Sequence, residues 1–335
     1  MRFRSIQLLR AVAALLVVFF HLSDGRFVTG GFGVDVFFVI SGFIMGTVGA
    51  QESAPAFALK RAARIIPLYW LCTLFMCVQS LFGVFARFTF DAESLAKSLF
   101  FIPYYDSTGH IWPLVVVGWT LNFEAFFYVL FTAGLLIGAP IVFSVATLSI
   151  LVLAGQLIPF DSAPLQVWTS PLLLEFAAGL LLARSARPSG MPVGLSLVGL
   201  GIAILAVVSA RELYDDSYRA LVWGMPAALI VAGGLAIERA GAWSRLLYPL
   251  EAMGDASYSL YLWHGMPVTA GHKFLGHSVA ANLLILVVAI ALAFLSYHAF
   301  EKPVGRYLAR RARCARRPAP ALAAGVGREG PPAIG

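Results

Sequence analysis

The sequence predicts an all-α polytopic membrane protein, a bundle of about ten transmembrane helices. Of its 335 residues, 60% are hydrophobic and only 12% carry charge. The mean hydropathy of +0.84 is far above that of a water-soluble domain of this length. Apolar runs of about 17–25 residues, long enough to cross the hydrocarbon core of a bilayer, recur along most of the chain.

The predicted spans are separated by connections that contain Gly and Pro. They lie at 5–22, 31–48, 65–86, 115–137, 140–158, 170–184, 193–210, 219–237, 257–275 and 279–300. The longest polar connection, 87–114, is expected to hold an interfacial helix at Ser94–Ile102. The spans belong to one membrane domain, 1–312. A tail at 313–335, rich in Pro, Ala and Gly, is expected to be disordered and cytoplasmic.

The distribution of basic residues predicts the orientation, because positively charged loops stay in the cytoplasm. One set of alternate connections holds Arg2, Arg4, Lys60, Arg61, Arg64, Arg184, Arg187, Arg239, Arg245 and the tail from Lys302 to Arg317. Both termini are therefore predicted to be cytoplasmic, in a multi-pass protein of the inner (plasma) membrane. The net charge of +7 reflects this topology and contact of the tail with membrane lipids, and it does not indicate a nucleic-acid partner.

The first span carries two ionisable residues, Arg10 and His21. Eleven helical steps place them on nearly the same face, roughly 16 Å apart along the axis. Ionisable groups within a membrane helix are costly and usually line a functional cavity. The alternative is that Arg10 snorkels to the cytoplasmic surface and His21 caps the outer end. We favour function for the pair.

Two carboxylates enter the membrane from the outer side, and Asp35 is expected to lie at about the depth of His21. Asp35 lies in GGFGVDVFFVISGF and Glu124 in GWTLNFEAFFYVL. A carboxylate beside an imidazole fixes its tautomer and makes it a better general base, so either residue is a candidate partner of His21. The alternative for Asp35 is a charge at a helix N-terminus. The alternative for Glu124 is a buried polar strut, and its apolar surroundings make function the better interpretation.

A basic cluster in LKRAARIIPLYW precedes the third span. Lys60, Arg61 and Arg64 share one helical flank, and Tyr69 follows closely. Guanidinium groups bind phosphates through two parallel hydrogen bonds, so Arg61 and Arg64 are candidate binding residues, with Tyr69 beside them. The alternative is the positive-inside signal alone, which is the better interpretation of Lys60.

Two further positions are candidate additional site residues. Trp119 lies at the entrance of the span that carries Glu124, and His264 lies within DASYSLYLWHG. For His264, a core histidine that bonds a neighbouring helix is an equally good interpretation. The three cysteines have no metal-ligand spacing, and His272 and His277 are assigned to an outer loop without a role. No metal site is therefore predicted.

Six segments in order resemble the acyltransferase-3 family of integral membrane acyltransferases, most closely its exopolysaccharide and O-antigen O-acetylases. They read FRSIQLLRAVAALLVVFFH, GGFGVDVFFVISGFIM, KRAARIIPLYW, GWTLNFEAFFYVL, SYSLYLWH and FEKP. The resemblance implies a cytoplasmic acyl-CoA donor, acetyl-CoA in the first instance, and no permanently bound cofactor. It implies a polysaccharide or lipid-linked glycan acceptor on the outer side. It also implies that Arg10, His21, Arg61 and Arg64 are required for acyltransferase activity.

These observations lead to a mechanistic hypothesis. Arg61 and Arg64 hold the CoA phosphates, the pantetheine arm runs along the face between Arg10 and His21, and Arg10 binds the donor. His21 takes the proton of a sugar hydroxyl, with Asp35 or Glu124 orienting its ring. A covalent acyl-His intermediate remains an alternative to direct transfer. The alternative function is a proton-coupled transporter or a glycan or glycolipid translocase, which also places ionisable groups in the membrane.

Overall fold

The computed structural model describes residues 3–81, 90–185, 190–213, 216–241 and 243–314. Its regular elements within these ranges are all helices. They are α1 (Arg4–Leu22), α2 (Phe32–Thr47), α3 (Ala54–Leu81), α4 (Ala92–Leu99), α5 (Trp119–Leu136), α6 (Pro140–Leu157), α7 (Ala163–Trp168), α8 (Leu173–Arg184), α9 (Met191–Ala210), α10 (Met225–Arg239), α11 (Tyr248–Asp255), α12 (Ser257–Trp263), α13 (Gly265–Leu275), α14 (Val279–Ser296) and α15 (Lys302–Cys314). The all-α membrane fold is confirmed.

Nine helical segments of the described ranges are long and apolar enough to cross a membrane, one fewer than the sequence predicts. The predicted span at 257–275 is divided into α12 and α13 at His264. Pro267 has no N–H to offer the carbonyl of Trp263, which weakens the helix at this point. Two shorter helices therefore replace one continuous span.

Other helix boundaries also differ from the prediction. Helix α3 starts at Ala54, so the basic cluster lies on the helix itself and not before it. The predicted part of this span at 82–86 lies outside the described residues, as does nearly all of the predicted tail. The predicted interfacial helix is α4, which begins two residues earlier. The side chain of its N-cap residue, Asp91, accepts a hydrogen bond from the backbone N–H of Ser94.

Helix α2 lies at the centre of the bundle. Its span is 72% buried, whereas that of α9 is 17% buried and faces the surroundings. Glycines allow α2 to approach its neighbours closely. An added Cβ at Gly42 would overlap the carbonyl oxygen of Phe176, and one at Gly179 would overlap that of Val39. Small residues at a crossing are the usual means of close helix packing in membranes, where apolar burial provides little net attraction.

The packing of α1 on α2 fixes the depth of the polar residues. Gly30 lies against the carbonyl of Leu16, and Gly33 lies against that of Ala13. Because the two helices run in opposite directions, Asp35 lies nearer the level of Ala13 than that of His21. The expectation that Asp35 lies at the depth of His21 is therefore wrong. We name the two ends of the bundle the Arg4 end and the His21 end, after the residues of α1 found there.

The crossing of α2 and α8 generates the first prediction. We expect Gly42→Ala to lower the free energy of unfolding by about 1–3 kcal/mol, because the added methyl group must push the two backbones apart. Gly199→Ala in α9 is the matched control, since no atom lies within 4 Å of its added Cβ. The thermal midpoint in detergent measures both. Equal midpoints for Gly42→Ala and Gly199→Ala would contradict this account of the crossing.

Candidate active site

A cavity of about 270 Å³ brings together four of the residues singled out in the sequence. They are Arg10 of α1, Arg61 and Arg64 of α3, and Glu124 of α5. Residues of α2 and α12 complete the wall. The sequence separates these helices widely, so the cavity is a product of the tertiary fold. It contains three guanidinium groups and one carboxylate in an otherwise largely apolar surround.

Arg10 is held in the cavity wall by the first residue of α12. Its Nε and one Nη donate to the hydroxyl of Ser257, at 3.1 and 2.8 Å. The Ser257 side chain is buried, and Arg10 is half-buried. A guanidinium has five N–H donors, so this single hydroxyl orients the group while other donors still face the cavity. The geometry suits an acceptor-rich ligand.

Glu124 belongs to the cavity and not to the surroundings of His21. One of its oxygens accepts a hydrogen bond from Ser41 of α2 at 3.2 Å and another from Tyr128, one turn along α5. The hydrogen bond to His21 that the sequence analysis considers for Glu124 is absent from the contacts of the described residues. The neighbouring hydroxyls satisfy the carboxylate locally.

A second, basic depression of about 380 Å³ adjoins the cavity at the Arg4 end. Arg61 and Arg64 line both spaces, and Lys60, Lys302 and Arg306 line the depression alone. We call this depression the basic groove. Lys60 forms an ion pair with Glu52 at 2.9 Å, which accounts for its charge within the protein.

Arg61 shows the strongest sign of an external ligand in this region. Its guanidinium lies 5.4 Å from the centroid of the Phe57 ring, and its buried Nε has no hydrogen-bond partner among the described residues. Burying a charged donor without a partner is costly, so such a group points to a ligand that is absent from the protein alone. Arg64 is exposed beside it.

His21 pairs with a second histidine at the opposite end of the bundle. The Nδ1 of His21 lies 3.2 Å from the Nε2 of His264 and 2.9 Å from the carbonyl oxygen of Val17. The Nδ1 of the fully buried His264 lies 2.8 Å from the carbonyl oxygen of Tyr261. A carbonyl only accepts, so His264 carries its proton on Nδ1 and accepts at Nε2 when neutral.

The chain of hydrogen bonds therefore fixes the tautomer of His21. Its Nδ1–H donates to His264 and to Val17, which leaves the lone pair on Nε2. This is the arrangement of a positioned general base. The sequence analysis expected a carboxylate in the orienting position, and the structure places the imidazole of His264 there.

Asp35 is engaged elsewhere. Both of its oxygens accept hydrogen bonds from the guanidinium of Arg219 at 3.0 Å, and its side chain is fully buried. The bidentate geometry explains how a carboxylate is tolerated at this depth. No local pattern in the sequence indicates this pair, because 184 positions separate the two residues.

The remaining candidates lie outside the cavity. Tyr69 is fully buried, and its ring stacks on that of Phe101 at a centroid distance of 5.0 Å. The ring of Trp119 contacts that of Phe123 edge to face at 5.7 Å. The structure brings neither to Arg61 or Arg64, and it shows both in the packing of the core.

The expected passage along α1 is closed in this structure. Ala13, Ala14 and Val17, which lie between Arg10 and His21, are all buried. The rings of Phe37 and Tyr261 line the cavity and contact each other edge to face at 5.8 Å. The Tyr261 ring centroid is 6.1 Å from that of His264. This ring pair therefore lies between the cavity and the histidine pair.

Comparison with known proteins identifies the protein family to which the chain belongs. A family model described as an acyltransferase domain matches residues 3–298. The chain belongs to this acyltransferase-3 family. It is thus a membrane acyltransferase, as the six sequence segments predict. Membership favours the enzyme over the transporter alternative, and no solved structure is significantly similar to the chain.

Several members of the family are similar over most of this chain. The exopolysaccharide production protein ExoZ of Rhizobium meliloti (strain 1021) is 36% identical over 304 residues, which cover 86% of this chain and 94% of ExoZ. Acyltransferase MdmB of Streptomyces mycarofaciens is 25% identical, with 96% of each chain covered. The peptidoglycan O-acetyltransferase OatA of Listeria monocytogenes is 24% identical, over 90% of this chain and 55% of OatA.

The buried ion pair generates the second prediction. We expect Asp35→Asn to lower the free energy of unfolding by about 3–5 kcal/mol, because the guanidinium of Arg219 loses the carboxylate that it binds through two hydrogen bonds. The double variant Asp35→Asn/Arg219→Gln should recover part of this loss. Lys97→Gln is the control, since it breaks an exposed pair with Glu93 that is worth about 0–1 kcal/mol. An inactive Asp35→Asn variant with unchanged stability would instead place Asp35 in catalysis.

Proposed function

We propose that this acyltransferase moves an acetyl group from cytoplasmic acetyl-CoA to a hydroxyl of a surface or exopolysaccharide glycan outside the inner membrane. The observation that carries the proposal is the shared cavity of Arg10, Arg61, Arg64 and Glu124, which adjoins the basic groove. The similarity to the exopolysaccharide production protein ExoZ supports a polysaccharide or lipid-linked glycan as acceptor.

The orientation follows from charge. The Arg4 end carries the basic residues of α3, the ends of α8 and α10, and the start of α15. Positive charge of this kind marks the cytoplasmic side. The basic groove then faces the cytoplasm, where acyl-CoA is made, and the histidine pair lies toward the outer side, where the glycan is found.

The basic groove suits the nucleotide portion of CoA, which carries a diphosphate and a third phosphate. Arg61 and Arg64 can each form bidentate hydrogen bonds with phosphate oxygens, and Lys302 and Arg306 add positive charge nearby. The unpartnered Nε of Arg61 gives one specific donor for this contact. These arginines also line the cavity. A CoA molecule with its nucleotide in the basic groove could therefore extend its thioester arm directly into the cavity.

The cavity suits the thioester arm. Arg10, held by Ser257, offers donors to its amide or thioester oxygens. From Arg10 to His21 the distance along α1 is roughly 16 Å, which is comparable with an extended pantetheine arm. The arm reaches His21 only if the rings of Phe37 and Tyr261 separate, so we assign this pair as the gate between donor and base.

The reaction then balances without a further cofactor. The Nε2 of His21 removes the proton of a sugar hydroxyl, and the hydroxyl oxygen attacks the thioester carbonyl. The C–S bond breaks, the glycan ester forms, and the imidazolium returns its proton to the thiolate of CoA. His264 acts as a positioning residue, because it receives the Nδ1–H of His21 and so keeps Nε2 unprotonated.

The overall test is acetyl transfer by the purified protein. We expect acetyl-CoA and a glycan acceptor together to release free CoA, and the glycan to gain the mass of one acetyl group. Mass spectrometry of the surface polysaccharide with and without the gene identifies the acceptor. No change in either measurement would contradict the proposed function.

The histidine pair generates the third prediction. His21→Ala should lower kcat by about 10²–10⁴-fold, the usual cost of losing a general base. His264→Phe should lower kcat less and leave the KM for acetyl-CoA unchanged, because the donor site is separate. His110→Ala, on an exposed loop, is the control. Near wild-type kcat in His21→Ala would remove this residue from the mechanism, and a raised KM in His264→Phe would contradict its positioning role.

The basic groove generates the fourth prediction. Arg64→Lys and Arg61→Lys keep the charge but lose the bidentate fork, so both should raise the KM for acetyl-CoA. The KM for acetyl-pantetheine, which lacks the nucleotide phosphates, should hardly change. Lys60→Arg is the matched control, because Glu52 already pairs with this position. If both lysine variants bind acetyl-CoA normally, the phosphate contact is wrong and topology alone explains these residues.

A further inference from the structure

Three side chains meet at the His21 end of the bundle, apart from the site described above. Asp24 lies in the turn after α1, His272 in the last turn of α13, and His277 in the loop before α14. The Nδ1 atoms of His272 and His277 lie 3.4 and 3.0 Å from the two oxygens of Asp24. All of the ligand atoms lie within 4.8 Å of one another.

A hydrogen bond to Asn282 fixes the tautomer of His272. Its Nε2 lies 3.0 Å from the side-chain oxygen of Asn282, whose amide nitrogen faces the carbonyl oxygen of Leu22 at 3.5 Å. His272 must therefore carry a proton on Nε2. In the neutral ring the lone pair on Nδ1 then points at a carboxylate oxygen of Asp24, and two lone pairs repel unless a cation lies between them.

The rings of His272 and His277 lie side by side at this carboxylate, with their centroids 4.1 Å apart. A divalent metal ion satisfies both Nδ1 lone pairs and the carboxylate together. A histidine ligand that donates its other N–H to an amide oxygen is also the usual arrangement in metal sites.

We propose that Asp24, His272 and His277 bind a zinc ion. Two imidazoles and a carboxylate are a zinc ligand set, whereas Ca²⁺ and Mg²⁺ prefer oxygen ligands. Tetrahedral zinc, with bonds of about 2.0–2.2 Å, separates its ligand atoms by about 3.4 Å. The two Nδ1 atoms lie 3.4 and 3.0 Å from different oxygens of Asp24, and all ligand atoms lie within 4.8 Å of one another. The sequence analysis gave these histidines no role and predicted no metal, so the cluster adds a site to that interpretation.

The position of the site indicates what it does. Asp24 follows α1, and its backbone N–H donates to the carbonyl of His21 at 3.1 Å. His272 belongs to α13, which begins one residue after His264. Zinc therefore joins the two elements that carry the histidine pair. Asp24 and His277 are exposed, so the ion is reachable from solvent and has room for a water ligand.

The test is zinc binding by the full chain, purified with a histidine-free tag and treated with a chelator. Titration with Zn²⁺ should give one ion per chain, with no comparable binding of Mg²⁺ or Ca²⁺. His277→Ala and His272→Ala should abolish this binding, and Asn282→Ala should weaken it by about 10–100-fold. His110→Ala is the control. X-ray absorption should show two imidazole nitrogens and a carboxylate oxygen on the metal.

A second measurement separates a zinc site from a simple ion pair. The thermal midpoint of the wild type should rise with added Zn²⁺, and that of His277→Ala should not. His277 is exposed, so its variant is expected to fold. Equal zinc binding by the wild type and His277→Ala, including none in either, overturns the proposal. So does a midpoint that depends on pH but not on zinc.

Discussion

The contact between α1 and α12 is the interaction on which the site depends. It has a polar contact at each of two levels, with Arg10 bonded to Ser257 at one and His21 bonded to His264 at the other. In a bilayer, unsatisfied donors are expensive, so these hydrogen bonds fix how the two helices can slide or rotate. The same contacts that align the helices also orient the guanidinium and the imidazole. The packing of α1 on α12 therefore also sets the orientation of the two side chains of the candidate site.

Close packing around α2 supports this contact. Glycines at the crossings with α1 and α8 bring the backbones together, and the buried pair of Asp35 and Arg219 joins α2 to the segment before α10. Helix association in membranes draws on tight van der Waals contact and on polar bonds, because lipid tails compete equally for apolar surface. Tight packing and polar bonds both occur at the centre of the bundle, whereas α9 lies at its periphery.

Sequence reasoning predicted what depends on a single helix. Hydropathy identified the spans, and helical periodicity placed Arg10 with His21 and Arg61 with Arg64. It failed where the outcome depends on neighbours. The partner of His21 is 243 positions away, and that of Asp35 is 184 positions away. Periodicity says which face a residue occupies but not which helix packs there, so the carboxylate expected beside His21 was assigned to the wrong place.

The break at His264 shows the same limit in the backbone. Hydropathy averaged over 257–275 indicates one span, but two short helices form. A proline three residues after the histidine removes a single N–H, which a hydropathy window does not register. Sequence reasoning missed Ser257 for a related reason. A lone serine before an apolar run is common, and only the tertiary structure shows that its hydroxyl binds Arg10.

The packed layer between the cavity and the histidine pair has a consequence for the cell. Under the proposed function, one reactant reaches the site from each side of the membrane, so the enzyme needs two access paths. If these joined, protons and small ions would run down their gradients at every turnover. Phe37, Tyr261 and the buried alanines of α1 keep them apart. If the long acyl arm itself fills the gap when the rings part, the membrane stays electrically tight while a two-carbon group crosses it.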